Sequence, residues 1–476
     1  MKFIRKLLAI SIALFLVMDI LFPKGSFCIT IKEEEELSRE FVKIILKRYE
    51  VIKDPLIADY INKVGNRILS AAPPQPFTYQ FYVINEDVYN AFAGPGGIIC
   101  INSGLFEAME NEAELAGIIG HEIAHVVCRH ISQRIERSSK RGLATLAGFL
   151  AGVFLGVGGA GAAAGVLTVG SLAVSQSVAL AYSRENEVQA DQIGLRYLTK
   201  AGYSGMGLLT MLKKIRSKDW FGSEQIPTYL MTHPGSDERI AYLDTLLEGK
   251  SKKAGQASDY RHTTGLNEFE RIHTRFVTLY GEKNLVLKKC EADIKKNPGD
   301  PMTQYRYGLI LARTGNRKDA VVHIKRAVEK KAFDPYILID LGRIYFQDGQ
   351  YPEALTTLES AISLAPDDPE GLFFLGRTQM ELGNLDKAVS VFKVIVEKHP
   401  EYTQALYFLG DVYGKHENFG EAHYYLGIYY KKEGNLKNAS FHLKRALEKL
   451  KDSDKKHIAR QMLKEINRIQ KRTGLG

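Results

Sequence analysis

Cysteine is scarce in this chain, with four residues among 476. They are scattered along the sequence at Cys28, Cys100, Cys128 and Cys290, and none of them forms a C-x-x-C pair. This number and spacing exclude the disulfide framework that is typical of small secreted domains. A single disulfide in an oxidising compartment stays compatible with the sequence, which does not indicate the pair.

The chain also lacks the signatures of a nucleic-acid-binding protein. Its net charge is +9, but no cluster of basic and aromatic residues accompanies that charge, and we therefore expect no nucleic-acid partner. The positive charge favours acidic partners or an anionic membrane surface, or else it forms a solvated basic face. Hydrophobic residues at 45% and charged residues at 25% argue against both wholesale disorder and a polytopic membrane protein.

The N-terminus has the layout of a secretory signal peptide, which we assign to residues 1–28. Three basic residues in the first six positions precede an apolar run over residues 7–18, which is short for a membrane span. The cleavage site is poor, since Ser26-Phe27-Cys28 is its best small-x-small candidate. The sequence therefore predicts export to the periplasm, with an uncleaved anchor as the alternative.

The length of the chain indicates two or three domains. Residues 29–250 combine helical periodicity with two strand patterns, at 78–84 and 91–102, the second of which contains a Gly-Pro-Gly-Gly turn. Asn111 resembles the start of a capping box, and the helix that it begins is predicted to run through His130. These patterns predict a mainly helical α+β domain.

An apolar, glycine-rich insertion at residues 142–182 carries no charged residue. Two interpretations of this insertion stay open. Its length is just enough for two membrane spans of about 20 residues each. Its many glycines instead indicate a mobile apolar loop and helix packed over the preceding helix. In either case the insertion is the candidate for contact with a membrane surface.

Beyond a polar linker at residues 251–265, the sequence becomes periodic. Glycine and alanine each recur at one constant interval, at Gly308, Gly342, Gly376 and Gly410 and at Ala320, Ala354, Ala388 and Ala422. A period of about 34 residues is typical of the tetratricopeptide repeat, in which small residues stand where the two helices of a unit cross. We assign residues 266–476 to an α-solenoid of such repeats, in which the pattern recurs a last time after only half the interval.

His121, Glu122 and His125 form an H-E-x-x-H motif. Helical residues four apart differ by about 40° around the axis, so both imidazoles face the same way and can bind one zinc ion. Glu122 lies beside them, where it can take a proton from water whose pKa zinc lowers to about 7. The same motif also arises from two surface histidines with a neighbouring glutamate, so the interpretation requires a third ligand.

The sequence lacks a third ligand at either of the two positions that are familiar from other H-E-x-x-H proteases. Metzincin spacing requires glycine and histidine where the chain has Cys128 and Ile131, and thermolysin-like spacing requires glutamate where it has Thr145. Glu187 and Asp191, four residues apart, offer a ligand and a carboxylate one turn later that could orient a zinc-bound histidine. On spacing alone, an exposed acidic helix explains these two residues equally well.

Five motifs follow one another in a fixed order: Asn90-Ala91-Phe92-Ala93, Pro95-Gly96-Gly97, Gly120-His121-Glu122-Ile123-Ala124-His125, Ser183-Arg184 through Glu187 to Ala190-Asp191, and Thr232-His233-Pro234 before Arg239-Ile240. In this order they resemble the gluzincin family of the CAAX prenyl protease and the HtpX heat-shock protease. The added signal peptide and tetratricopeptide repeats are similar to its BepA-type periplasmic branch. The resemblance implies a zincin-like metalloprotease domain over residues 29–250.

The same resemblance implies a role for each candidate site residue. His121, His125 and Glu187 would bind one zinc ion per chain, with Glu122 as the general base and Asp191 behind the ligands. The roles of His121, Glu122 and His125 agree with the spacing of the H-E-x-x-H motif, whereas spacing left Glu187 and Asp191 open and the resemblance implies their roles.

Two further residues match the family's late His-Pro motif. The histidine of this motif, here His233, is thought to approach the metal or to stabilise the oxyanion. His233 and Arg239 are therefore expected, with Glu122, to be catalytic residues. The hairpin around residues 94–97 would present an edge strand to an extended substrate. His130 has a surface or structural role in this interpretation.

The chain is thus predicted to be a zinc-dependent endopeptidase with a chaperone-like role in the quality control or assembly of outer-membrane proteins. The resemblance implies unfolded or misassembled proteins as substrates, and the β-barrel assembly machinery as a partner of the repeats. The alternative is a proteolytically silent or latent assembly chaperone or scaffold that acts through its repeats. The intact Glu122 argues against that alternative, because a scaffold has no need of the carboxylate.

Overall fold

The computed structural model describes residues 29–137, 182–220, 227–254 and 268–473. The chain divides into two compact units, one up to Ile272 and one from His273 onwards. The predicted signal peptide, most of the apolar insertion and most of the linker lie outside the described residues. The boundaries of the predicted domains therefore stay predictions.

The first unit consists of helices and one three-stranded sheet. Its helices are α1 (Ile31–Arg48), α2 (Pro55–Leu69), α3 (Ser103–Glu107), α4 (Glu112–Val127), α5 (His130–Arg137), α6 (Arg184–Lys200), α7 (Met206–Trp220), α8 (Thr228–Thr232) and α9 (Ser236–Ala254). Its strands are β1 (Gln80–Ile84), β2 (Ala91–Ala93) and β3 (Ile98–Asn102). The prediction of a mainly helical α+β domain is confirmed.

The sheet has the order β1-β3-β2, with β3 parallel to β1 and antiparallel to β2. A turn of 3₁₀ helix, Pro95–Gly97, joins β2 to β3. Gly96 adopts a left-handed φ of 65° in this turn, and a Cβ atom there would lie 2.7 Å from the Cβ of Ser38. Only glycine suits this position, and it lets the chain reverse tightly so that β2 forms an edge of the described sheet.

Helix α4 carries the H-E-x-x-H motif and begins as the sequence predicts. Asn111 is its N-cap and accepts a hydrogen bond from the backbone N–H of Glu114 at 3.0 Å. The helix ends at Val127 because Arg129 adopts a left-handed φ of 54°, after which α5 begins at His130. The prediction of one continuous helix through His130 is wrong in this respect.

Helix α4 approaches α6 and α7 closely enough for backbone to lie against backbone at two glycines. A Cβ atom at Gly117 of α4 would lie 2.4 Å from the backbone nitrogen of Leu208 in α7. A Cβ atom at Gly194 of α6 would lie 3.0 Å from the carbonyl oxygen of Gly120. Interiors pack as densely as organic crystals, so added volume at such positions must displace backbone.

The second unit is a run of helix pairs. After α10 (Glu268–Tyr280), which crosses the boundary, come α11 (Lys283–Lys296), α12 (Pro301–Arg313), α13 (Arg317–Lys330), α14 (Pro335–Gln347), α15 (Tyr351–Leu364), α16 (Pro369–Glu381), α17 (Leu385–Lys398), α18 (Gln404–Lys415), α19 (Phe419–Lys432), α20 (Leu436–Lys449) and α21 (Ser453–Thr473). The predicted tetratricopeptide repeats are confirmed. Among the described helices, none has the length and apolar character that a membrane span requires.

The constant interval between the repeated glycines has a steric origin. A Cβ atom at Gly376 would lie 2.8 Å from the ring of Phe392 on the second helix of the unit, and one at Gly342 would lie 2.5 Å from Leu358. Helix α19 belongs to two units. As the second helix of one unit it places Leu426 against Gly410 of α18, and as the first helix of the next unit it places Gly427 against Leu443 of α20. The shared helix explains why the last recurrence comes after half the interval, from Gly410 to Gly427.

Candidate metal centre

Four side chains from three parts of the first unit converge on one point. His121 and His125 lie one turn apart on α4, Glu187 lies in the first turn of α6, and His233 directly follows α8. One potential ligand atom from each lies within 4.8 Å of all the others. All four side chains are fully buried.

The distances between these atoms fit a tetrahedral metal ion. Zinc binds imidazole nitrogen at about 2.0–2.1 Å in tetrahedral sites, which places neighbouring ligand atoms about 3.3 Å apart. The Nε2 atoms of His121 and His125 are 3.0 Å apart, and they lie 3.4 and 3.3 Å from the carboxylate oxygens of Glu187. A set of two imidazoles and a carboxylate is a common zinc donor set, so these residues fit the metal.

Glu122 is buried beside the cluster, and neither of its carboxylate oxygens has a hydrogen-bond partner among the described residues. Nε2 of His233 lies 3.6 Å from its Oε1 atom. Burial raises the pKa of Glu122 above its ordinary value. Burying a carboxylate without hydrogen-bond partners destabilises the folded protein. Glu122 is therefore better explained as a proton acceptor than as a residue that stabilises the fold.

Asp191 lies behind His121 rather than in the cluster. Its Oδ1 atom is 2.8 Å from Nδ1 of His121, so it fixes the tautomer in which Nε2 is free to bind a metal. Burial raises the pKa of Asp191, but the charge of Arg239 and the hydrogen bond from His121 lower it to about 2. Asp191 is therefore ionised at neutral pH.

Arg239 is fully buried and bridges the two carboxylates of α6. Its guanidinium donates to Glu187 at 2.5 Å and to both oxygens of Asp191 at 2.7 and 2.8 Å. Tyr242 donates a further hydrogen bond to Asp191 at 3.0 Å. Burial opposes ionisation of Glu187, but His233 and Arg239 hold the pKa of Glu187 well below its ordinary range. Arg239 thus holds both carboxylates of α6, one of which, Glu187, belongs to the cluster.

His233 contacts both the cluster and the edge strand. Its Nδ1 atom lies 3.2 Å from each carboxylate oxygen of Glu187 and 3.4 Å from Nε2 of His121. Its Nε2 atom lies 3.3 Å from the carbonyl oxygen of Ala91 in β2. Tyr229 stacks on the ring, with 4.3 Å between ring centroids. The structure therefore brings His233 within reach of the same point as the three predicted ligands.

The sequence interpretation missed the part that His130 plays. This side chain is buried, its Nδ1 atom lies 3.0 Å from Nδ1 of His125, and its Nε2 atom lies 2.9 Å from the amide oxygen of Gln189 on α6. His130 thus orients His125 as Asp191 orients His121. The sequence did not indicate that His130 lies beside His125, because helical periodicity assumes one continuous helix. The left-handed residue Arg129 interrupts the helix between them.

The structure gathers all seven sequence-predicted site residues around one centre. The cluster holds His121, His125, Glu187 and His233, Glu122 lies at its side, and Asp191 and Arg239 lie behind it. Cys128 is partly exposed and is not a member of the cluster.

Comparison with known proteins gives two matches to family models. Residues 55–247 match the model of peptidase family M48, and residues 345–402 match a tetratricopeptide repeat model. The predicted resemblance is confirmed at this level, and the M48 family implies a divalent metal ion. Repeats of this kind indicate interaction with other proteins.

Among curated proteins, the chain is similar to the "Beta-barrel assembly-enhancing protease" of Escherichia coli K12. The two are 32% identical over 213 residues, which cover 45% of this chain and 43% of that protein. It is also similar to the human "Metalloendopeptidase OMA1, mitochondrial", at 28% identity over 35% of this chain and 32% of that protein. The match thus spans less than half the length of these curated relatives.

Two solved structures are similar to part of the chain. The crystal structure of MamA matches with a TM-score of 0.28 and 20% identity over 37% of this chain and 93% of that chain. The structure of YrrB, described as a TPR protein with an unusual peptide-binding site, matches with a TM-score of 0.27 and 18% identity over 45% and 96% of the two chains.

Proposed function

This chain carries a peptidase family M48 domain followed by tetratricopeptide repeats, and from that premise we propose that it is a zinc-dependent endopeptidase. The observation that carries the proposal is the juxtaposition of two features. Three buried side chains have their donor atoms at the spacing of zinc ligands, and a fourth, Glu122, keeps both carboxylate oxygens free of hydrogen bonds beside them.

His121, His125 and Glu187 would hold one zinc ion per chain. When bound, zinc supplies Lewis-acid chemistry that activates water and polarises the scissile carbonyl. Glu122 takes the proton from the attacking water and delivers it to the leaving amine nitrogen, because its oxygens have no competing donor. Asp191 and Arg239 keep His121 and Glu187 in place through their hydrogen bonds.

The edge strand β2 is where we place an extended substrate. Its Ala91 carbonyl is engaged by His233, which also reaches the ligand cluster. Peptides commonly bind proteases and other receptors by adding a strand to an exposed edge. All three residues of β2 are buried here, so a substrate would add to this edge only after the segment that covers it has moved. His233 would then lie between the substrate and the metal.

We further propose that the resting enzyme is latent and that His233 blocks the metal. Its Nδ1 atom is as close to Glu187 and His121 as a fourth ligand would be. A substrate or partner that displaces His233 would shift the enzyme from this closed state to an open one. The same contact favours the alternative function, a silent chaperone or scaffold, in which the block would be permanent.

The substrates we propose are unfolded or misassembled proteins of the periplasm, and outer-membrane proteins in particular. The support is the name of the relatives that share the protease domain, "Beta-barrel assembly-enhancing protease". The β-barrel assembly machinery is the partner that we propose for the repeats. Contact of the apolar insertion with the membrane surface belongs to the same proposal.

The deciding experiment compares the full chain with its Glu122→Gln variant on an unfolded model protein. We expect the wild-type chain to cleave the substrate, to stop when a chelator removes the metal, and to resume when zinc is added. Glu122→Gln should retain about one zinc per chain and its thermal stability but lose cleavage, because it removes the proton acceptor and not a ligand. Full cleavage by Glu122→Gln would refute the mechanism.

A further inference from the structure

One buried carboxylate outside the metal centre holds two distant segments of the first unit. Glu34, in the first turn of α1, is only 3% exposed. Its Oε1 atom accepts a hydrogen bond from the backbone N–H of Gly96 at 3.2 Å. Its Oε2 atom accepts from the guanidinium of Arg129 at 2.8 Å and from the hydroxyl of Ser132 at 2.7 Å. Three donors, one of them charged, fix this carboxylate in place.

The first segment is the turn between β2 and β3. The first N–H groups of a helical turn have no partner within it, and Glu34 is that partner for Gly96 from 62 residues away. Phe41 lies on the same face of α1, where a Cβ atom at Gly94 would lie 2.5 Å from its ring. The same ring packs edge-on against Phe92 of β2, with 6.3 Å between centroids. This face of α1 therefore positions the turn and the strand where we place the substrate.

The second segment is the junction of α4 and α5. Arg129 has a left-handed φ of 54° there, which a residue other than glycine keeps only when its surroundings hold it. Its guanidinium is held by Glu34, and so is the hydroxyl of Ser132. His130 lies between these two residues in the chain. Glu34 thus holds both sides of the imidazole that orients His125.

We propose that Glu34 is a positioning residue of the peptidase, and that one carboxylate places both the substrate strand and the His130 support of His125. This inference rests on the proposed function, because it concerns the same centre. Glu34 is not a member of the metal cluster. It acts through Gly96, Arg129 and Ser132.

A second buried carboxylate of the same unit shows what a purely local role looks like. Asp54 caps α2 and accepts from the backbone N–H groups of Leu56 and Ile57 at 3.1 and 3.3 Å. These partners lie two and three residues away, whereas the hydrogen bonds of Glu34 span 62 and 95 residues. Loss of Asp54 would weaken one helix end, and loss of Glu34 would release two segments that support the site.

The test compares Glu34→Gln with Asp54→Asn in the full chain, since each turns a buried carboxylate into an amide of the same size. The glutamine has one acceptor oxygen for three donors, so hydrogen bonds are lost. Hydrogen exchange of the metal-free chain, followed by mass spectrometry, should become about tenfold faster over residues 94–102 and 128–134. That is the usual effect of losing a hydrogen bond to a charged group. Asp54→Asn should leave both segments unchanged, even if it lowers the melting temperature.

Zinc affinity, measured by competition with a chelator, tests whether Glu34 acts through His130. Glu34→Gln should weaken zinc binding by about tenfold, as the loss of a partner behind a metal ligand does. In a His130→Gln background the same change should weaken it no further, because the connection to His125 is already broken. A general loss of structure would instead add to the effect of His130→Gln.

Two outcomes would overturn the inference. Unchanged exchange in either segment of Glu34→Gln would show that the carboxylate does not hold both, and additive losses of zinc affinity would show that it does not act through His130. A wild-type chain that binds no zinc would refute the proposed function instead, while exchange in the metal-free chain still decides whether Glu34 holds the two segments. If Glu34→Gln does not fold, Ser132→Ala removes one donor and keeps the carboxylate. It should then speed exchange over residues 128–134 and lose its effect on zinc in the His130→Gln background.

Discussion

Oδ1 of Asp191 lies 2.8 Å from Nδ1 of His121, and this contact determines which nitrogen of His121 faces the cluster. With the proton held on Nδ1, the Nε2 lone pair is available to a metal. The bond also joins α6 to α4, the two helices that carry the proposed ligands.

Replacing Asp191 by asparagine tests this relationship. We expect Asp191→Asn to weaken zinc binding by about 10- to 100-fold, which is the usual effect of losing a partner behind a metal ligand. Competition with a chromophoric chelator measures the affinity. Asp244→Asn, which removes an exposed carboxylate paired with Lys213, is the control and should change nothing. Equal affinities in the two variants would contradict the role of Asp191.

The proposed third ligand can be tested against a neighbour on the same helix. Glu187 is fully buried in the cluster, whereas Glu185 is exposed and points about 200° away around α6. Glu187→Gln should lower the zinc content of the purified protein far more than Glu185→Gln does, as measured by atomic absorption. Similar zinc losses in both variants would rule out Glu187 as the ligand.

The proposed block by His233 predicts a gain of activity. His233→Ala should raise the basal cleavage of an unfolded model substrate, because the side chain that lies against Glu187 and His121 would be gone. A loss of about a hundredfold would instead indicate that His233 stabilises the oxyanion. Unchanged activity and zinc affinity would leave it a turn residue. Met231→Ala, at an exposed position of α8, is the control.

A histidine pair in the repeats predicts a pH-dependent stability. The Nδ1 atoms of His423 and His442 are 2.9 Å apart, so one must accept the other's proton. Burial and the charges of Lys449 and Arg445 lower the pKa of His423, and burial and His423 lower that of His442, from an ordinary value of 6.5. The unfolded chain then binds more protons than the folded one as pH falls below 6.5, so stability is lost in that direction.

Hydrogen exchange over α19 and α20 measures this effect. We expect protection, corrected for intrinsic rates, to decrease as the pH falls from 7.5 to 5.5, because the unfolded chain binds more protons in that range. His442→Gln keeps a neutral hydrogen-bonding group and should flatten the profile. His457→Gln, at an exposed position, should not alter it. A flat profile in the wild-type chain would contradict the prediction.

Local geometry decided which parts of the site could be predicted. The pairing of His121 with His125 follows from helical periodicity alone, and the structure places their Nε2 atoms 3.0 Å apart. The approach of Glu187 and His233 to the cluster depends on tertiary packing across long chain separations. Spacing therefore left the role of Glu187 open, and only the family resemblance indicated His233. Neither helical periodicity nor the family resemblance indicated the role of His130, because the left-handed residue Arg129 interrupts the helical spacing between His125 and His130.

The repeats were predictable for a different reason. Each unit needs a glycine where its helices meet, as at Gly376 against Phe392, so the steric requirement appears in the sequence at a fixed interval. The apolar insertion has no such periodicity, and its two interpretations lie outside the described residues except at Tyr182.

The close contact of α4 with α6 and α7 has a consequence for how this domain tolerates change. Because backbone lies against backbone at Gly117 and Gly194, the position of α4, which carries both imidazoles, relative to α6 and α7 depends on main-chain contact and less on the surrounding apolar side chains. A randomised library of those side chains would lose melting temperature gradually while keeping the donor atoms in register. By contrast, the single methyl group added by Gly117→Ala would tilt α4 and displace the metal-binding donor atoms, although the chain would still fold.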